Sequence, residues 1–88
     1  FMYIKKINTE FDIIFADPPY NLDDTKYLTM INEIFKKNCL KSDGYLIIEH
    51  SSKKVFNKIQ YFNKSKKYGD STFSFFTKLN NWLSVYYL

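Results

Sequence analysis

Phe11-Asp12-Ile13-Ile14-Phe15-Ala16-Asp17-Pro18-Pro19-Tyr20 decides how this chain of 88 residues reads. The first six residues form an apolar, strand-like run, and the run stops at an acid, two prolines and an aromatic. Each proline holds φ near −65° and removes a backbone donor, so the corner after the strand is stiff and its carbonyls stay open to a ligand. Such strand ends are where α/β enzymes keep their chemistry. Asp17 can accept hydrogen bonds from an amine, and the Tyr20 ring can stack on a planar group such as a nucleobase, a contact worth roughly 1–3 kcal/mol. The corner therefore suits an aromatic amine. Asp-Pro-Pro is also ordinary turn chemistry, and a Tyr after it can simply cover the loop.

Downstream, Asp23 or Asp24 can cap a helix in which Tyr27, Leu28, Ile31, Ile34, Phe35 and Cys39 recur at helical spacing, with Lys36 and Lys37 favourably placed near its C-terminus. That stripe reads as core packing. Lys41-Ser42-Asp43-Gly44 is expected to be the turn that ends the crossover. Tyr45 to Glu49 then forms a strand that is nearly all apolar, as a sheet covered on both faces requires. Strand, helix, strand implies parallel pairing with a right-handed crossover. Ser52 to Asn57 is a candidate short helix, and Ile59 to Tyr68 a strand of polar and aromatic residues. Tyr68-Gly69-Asp70-Ser71 has turn chemistry, with Gly69 free to take positive φ, and joins that strand to Thr72–Phe76 as an antiparallel hairpin. Leu79, Trp82, Leu83 and Tyr86 are spaced for a terminal amphipathic helix.

Three ordered motifs carry a resemblance. Asp17-Pro18-Pro19-Tyr20 resembles the Asp-Pro-Pro-Tyr motif of S-adenosylmethionine-dependent amino methyltransferases. Gly44-Tyr45-Leu46-Ile47-Ile48-Glu49-His50-Ser51 and Lys67-Tyr68-Gly69-Asp70-Ser71-Thr72-Phe73-Ser74-Phe75 follow it. Together they resemble the C-terminal half of the bacterial 16S ribosomal RNA guanine-N2 methyltransferases, in which an apolar strand ends in Glu-His-Ser and a Tyr-Gly-Asp turn leads into a final strand. The match spans residues 1–76 and leaves 77–88 as an unassigned tail.

The resemblance implies an α/β fold, the C-terminal half of a Rossmann-like class I methyltransferase sheet, with parallel strands and a terminal antiparallel hairpin whose last strand inserts beside the Tyr45 strand. It implies methyl transfer from S-adenosylmethionine to the exocyclic 2-amino group of a guanine in small-subunit ribosomal RNA. Asp17, Pro18, Pro19 and Tyr20 would be catalytic: the Asp17 carboxylate and Pro18 carbonyl would accept the two amine N–H groups, and Tyr20 would stack on the base. Asn21, Glu49, His50, Lys67 and Tyr68 are the candidate substrate-binding residues. Asn21 is more simply a loop cap, and His50 a structural or substrate-orienting group, because the amine proton can be lost to water after transfer.

The family binds its cofactor upstream of these motifs, with a Gly-rich loop after the first strand and an acid at the end of the second. Neither is found here, where the only two glycines are Gly44 and Gly69. The chain also opens with Phe1, which reads as the C-terminal piece of a longer frame, so residues 1–76 are expected to be a partial domain without its cofactor half and inactive alone. The strand at residues 12 to 16 would then expose an edge open to self-association.

Composition bounds the partners. All thirteen basic residues are Lys, and the chain carries a formal net charge of +4. Residues 1–50 hold six Lys against eight acids, whereas 51–88 hold seven Lys against Asp70 alone. The second half is the one suited to a polyanion such as ribosomal RNA or the small-subunit particle. Its lysines, Lys53, Lys54, Lys58, Lys64, Lys66 and Lys67 among them, serve equally as a solvated face. Lys lacks the bidentate fork of Arg, so it positions a backbone rather than reading bases. Cys39 is single, which excludes an intramolecular disulfide and a cysteine metal cluster; a small core filler is its expected role. No apolar run nears the roughly 20 residues that span a bilayer, and no signal-peptide pattern opens the chain, so a cytoplasmic location is expected. Two rival readings stay open: a piece of a DNA adenine or cytosine amino methyltransferase, which shares the Asp-Pro-Pro-Tyr corner, and a noncatalytic RNA-binding or assembly fragment.

Overall fold

A computed structural model describes residues 10–19 and 21–78. Strand β1 (Phe11–Ala16) is followed by helix α1 (Asp24–Lys36), strand β2 (Leu40–Ser51), strand β3 (Phe62–Tyr68) and strand β4 (Ser71–Phe76). The four strands form one sheet in the order β1-β2-β4-β3. β2 runs parallel to β1. β4 is antiparallel to both β2 and β3, so it is the single reversed strand, seated beside β2 as expected.

Helix α1 starts where Asp23 accepts a hydrogen bond from the Lys26 amide at 2.9 Å, satisfying one of the amides a helix start leaves bare. It ends at Lys36 with Lys37 as its cap, and Asn38 follows with a φ of 54°, the left-handed turn that closes many helices. Lys37 folds back on Glu33 at 3.4 Å. Tyr27, Met30, Ile31, Ile34 and Phe35 bury against the sheet. Ile31 and Ile34 are fully buried, each worth roughly 1.5–3 kcal/mol against exposure. Two members of the expected stripe sit elsewhere. Leu28 is exposed, its place being taken by Met30, and Cys39 lies beyond the helix cap. Cys39 is nonetheless a buried filler, with its thiol directed at the Ile34 carbonyl at 3.3 Å.

The turn expected at Lys41–Gly44 is instead the opening stretch of β2. Phe11 pairs with Leu40 but Ile13 with Tyr45, so the extra residues of β2 bulge out without ending the strand. Lys41 pins the bulge to Asp12 at 3.2 Å. Gly44 lets the two backbones close, for a Cβ there would lie 2.8 Å from the Asp12 carbonyl oxygen.

The short helix expected at Ser52–Asn57 is absent; the segment is a series of turns. Its donors go elsewhere: the Ser52 amide to the Asp70 carbonyl at 2.9 Å and the Lys53 amide to Ser51 Oγ at 3.2 Å. β3 begins at Phe62 rather than Ile59, because Tyr61 takes a φ of 74° that no strand can continue through. Tyr61 is held there by a stacked contact with Phe35, ring centroids 4.2 Å apart. The expected hairpin turn is present, with Gly69 at φ 61°. Thr77 extends the ordered body past β4, its amide donating to the Tyr61 carbonyl at 2.9 Å. The helix expected from Leu79 to Tyr86 lies outside the described residues.

Alternation divides the sheet into two faces. Ala16, Leu46, Ile48 and Phe76 turn toward α1 and are buried. Ile13, Phe15, Tyr45, Ile47, Phe73 and Phe75 turn the other way, where they are exposed or half-buried.

Candidate active site

The Asp-Pro-Pro corner begins one residue beyond Ala16, which is fully buried and paired with Ile48 in the parallel ladder. The sheet therefore fixes the backbone that enters the corner. Asp17 is exposed, Pro18 is buried and Pro19 is exposed. The Pro19 carbonyl accepts from the Leu22 amide at 3.0 Å and closes a tight turn through Asn21, which is exposed. The Pro18 carbonyl stands outside that bond. Tyr20 lies outside the described residues.

Glu49 continues β2 past the level of Ala16 and is half-buried on the face opposite α1, across from Phe73. His50 is the next residue and points the other way, into the α1 side, where it is 3% exposed. Its Nδ1 lies 2.8 Å from the Ser51 carbonyl and its Nε2 2.7 Å from Ser74 Oγ. A carbonyl can only accept, so Nδ1 carries the proton and Ser74 donates to Nε2. Burial pushes the His50 pKa below its ordinary value, partly offset by the Ser51 hydrogen bond, with the Lys54 charge adding to the lowering. The imidazole is thus neutral and both nitrogens are engaged.

Lys67 and Tyr68 lie on β3, the edge strand at the far side of the sheet from β1. Tyr68 is 62% exposed and meets Phe73 edge-on. The structure therefore brings Asp17, Pro18, Pro19 and Asn21 together, with Glu49 on the adjoining strand, and places His50 on the other face and Lys67 and Tyr68 two strands beyond β2.

Sequence reasoning assigned Tyr27 to the core and missed its polar end. The ring is fully buried against Phe56, yet its hydroxyl has no hydrogen-bond partner. Burial raises its pKa; Lys54, with its ammonium 5.5 Å from the ring centroid, lowers it, and the charges of Asp17 and Asp24 raise it. Lys54 in turn binds Asp24 at 2.6 Å, tying the turn after β2 to the start of α1. The available signal was a lone Tyr in an otherwise aliphatic and Phe stripe.

Among the described residues no group of three or more His, Cys, Asp and Glu is arranged to hold a metal ion. No helix there is long and apolar enough to cross a membrane.

The family model described as Conserved hypothetical protein 95 matches residues 2–77. The chain belongs to that family. Among solved structures, this member of the family is similar to a conserved hypothetical protein of Streptococcus pyogenes, at 26% identity and a TM-score of 0.64 over 78% of this chain and 44% of that one. It is similar to a Haemophilus influenzae protein, provisionally named a methylase, at 23% identity and a TM-score of 0.60, covering 82% of this chain and 45% of that one. It is also similar to the Escherichia coli protein yhhF, provisionally named a methyltransferase, at 17% identity and a TM-score of 0.57, covering 81% and 39%. The chain thus spans less than half the length of each structure. No curated protein sequence matches it. The fold is a partial Rossmann-like methyltransferase fold.

Proposed function

We propose that this chain is the base-binding portion of an S-adenosylmethionine-dependent methyltransferase that modifies the exocyclic 2-amino group of a guanine in small-subunit ribosomal RNA. The observation that carries this reading is Asp17-Pro18-Pro19, followed in sequence by Tyr20, at the C-terminal end of a parallel strand, with the entering backbone held by buried Ala16. A guanine amine is planar, with its lone pair spread into the ring. Hydrogen bonds from its two N–H groups to the Asp17 carboxylate and the Pro18 carbonyl draw the nitrogen toward a tetrahedral shape and aim its lone pair. Tyr20 stacks on the base, which must leave a helix or already lie in a loop to reach the corner. Glu49, beside the corner, and Asn21, in the turn, border the base. Neutral His50 has no free nitrogen for the amine proton, which passes to water.

The cofactor, when bound, supplies an electrophilic methyl group. The described residues do not form a cradle for it. Gly44 closes the β1–β2 bulge and Gly69 turns the hairpin, so neither belongs to a Gly-rich loop after a strand. Residues 1–76 are accordingly read as a partial domain, with the cofactor held by other parts of the complete protein. Ribosomal RNA or the small-subunit particle is the proposed partner, in the cytoplasm.

A second reading, a noncatalytic assembly fragment, is favoured by the uncovered apolar face that includes Ile13, at 60% exposed, and Phe15, at 50%. The two are separated by incubating the complete protein with methyl-labelled cofactor and, in turn, naked small-subunit RNA, assembled particles and duplex DNA. Label on the 2-amino group of a guanine in the RNA is the expected outcome. Label confined to DNA would replace the substrate with an adenine or cytosine amine, and no label anywhere would favour the assembly reading.

A further inference from the structure

A cavity separate from the Asp17 corner lies under the turns that connect β2 to β3 and has a volume of about 180 Å³. Its floor is the α1-side face of the sheet beyond the reach of the helix, where His50 pairs with Thr72, Lys67 with Thr72, and Ser65 with Ser74. Directly paired residues share a face, so His50, Thr72, Ser74, Ser65 and Lys67 converge on one side. Lys54, Phe56 and Asn57 from the connecting turns close the opposite wall. A cavity of this volume has room for more than a single water. A tetrahedral oxyanion with part of its hydration shell fits.

Several polar groups around this space are already engaged. None of the described residues that line it is acidic. The Ser74 proton goes to His50 Nε2. Ser52 Oγ donates to the Gly69 carbonyl at 3.2 Å and so takes the Thr72 hydroxyl proton at 2.8 Å. The Lys54 ammonium is partly neutralised by Asp24 at 2.6 Å. Lys67, Ser65 and Asn57 also line the cavity, and their side chains take no part in these bonds. The wall is partly apolar, through Val55, Phe56 and Phe62, and on it an ammonium, a hydroxyl and an amide match a group with several acceptor oxygens and negative charge.

We propose that this cavity is a phosphate-group seat, with Lys67 as its principal cation and Ser65 and Asn57 as further donors. The group is borne either by a nucleic-acid strand or by a free phosphate, and the two sources share the same contacts. Lys67 was marked by the sequence as a substrate contact, and its place on an edge strand remote from Asp17 gives it this separate task. A strand anchored here would be held by its backbone, at a point that carries no base information.

The test is amide chemical-shift mapping on the 88-residue chain, titrated separately with inorganic phosphate, acetate at equal ionic strength, and a short single-stranded RNA. Saturable shifts are expected with phosphate at the amides of Ser65, Lys67 and Asn57, and Lys67→Gln should weaken binding about tenfold or more. Lys66→Gln, on the opposite face of the same strand, should leave it unchanged; a dispersed spectrum certifies that each variant is folded. If the RNA moves the same amides and phosphate competes with it, the source is the strand. If RNA leaves them unmoved while phosphate shifts them, the seat takes a free phosphate. No saturable response to either ligand, equal binding of acetate, or shifts spread over the surface lysines and unaffected by Lys67→Gln would each overturn the proposal.

Discussion

Asp17 leaves the sheet one residue after a fully buried alanine, so its backbone is positioned by the ladder while its carboxylate faces outward. Under the proposed mechanism its work is to aim an amine, and misplacement by about 1 Å can cost on the order of a hundredfold in rate. Asp17→Ala in the complete protein is therefore expected to reduce turnover at least about a hundredfold while leaving cofactor affinity within a few fold. Calorimetric titration of the variant would show a large loss of affinity if Asp17 served the cofactor instead. His50 makes a prediction of a different kind. Its folded pKa lies below the ordinary 6.5, so between the two values the unfolded chain binds more protons than the folded one, and stability rises with pH. The contribution is fully present above the unfolded value and is lost as pH falls through the folded one. Wild-type protein should lose more of its thermal midpoint between pH 7.5 and 5.5 than His50→Gln does, the chain having one His. Equal losses would assign the pH dependence to other groups.

The bulge where β1 meets the start of β2 leaves no space for a side chain at residue 44. A Cβ at Gly44 would meet the backbone oxygens of Asp12, Phe11 and Lys41 at 2.8, 3.0 and 3.1 Å, and backbone atoms of paired strands cannot turn aside as a side chain can. Gly69 presents the contrasting case, with nothing within 4 Å of a Cβ but a φ of 61°. Overpacking of the first kind costs about 1–3 kcal/mol, whereas a left-handed residue costs about 1–2 and less for Asn. Chemical denaturation should find Gly44→Ala more damaging than Gly69→Ala, with Gly69→Asn nearly neutral; the reverse order would mean that the bulge opens to admit a methyl group. The two glycines also mark the limits of sequence reading. Gly69 sits in a four-residue turn whose chemistry is local, so the hairpin, like the Asp23 cap and the β1 strand, was legible. Gly44 is required by a neighbour thirty-two residues earlier in the chain, and the local pattern Lys-Ser-Asp-Gly therefore read as a turn where the fold has a bulged strand. The connector after β2 misled for the same reason, since the Ser52 amide is taken by Asp70 across the hairpin. At the candidate site, residue types and spacing marked the Asp-Pro-Pro corner, but they could not show that His50 turns away from Glu49 or that Lys67 shares a cavity with His50.

At the scale of the whole molecule, the sheet has one face packed on α1 and the other lined by Phe11, Ile13 and Phe15, which are 44%, 60% and 50% exposed. In a Rossmann-like sheet both faces are normally covered, and this chain spans less than half the length of each structure it resembles. Among the described residues β1 is also an edge strand, with no strand paired on its outer side. An apolar face beside an open edge is a surface for self-association. The 88-residue chain is accordingly expected to show a concentration-dependent mass in sedimentation velocity. Ile13→Lys places a charge in the middle of that face and should shift the association to higher concentration by about tenfold or more, since an apolar side chain of this size contributes roughly 1.5–3 kcal/mol when buried. Val55→Lys is the matched control, because Val55 is 74% exposed but belongs to the turns on the α1 side. Association that survives Ile13→Lys and fails with Val55→Lys would move the contact to the opposite face. A monomer at every concentration would mean that the β1 edge needs no partner to stay in solution.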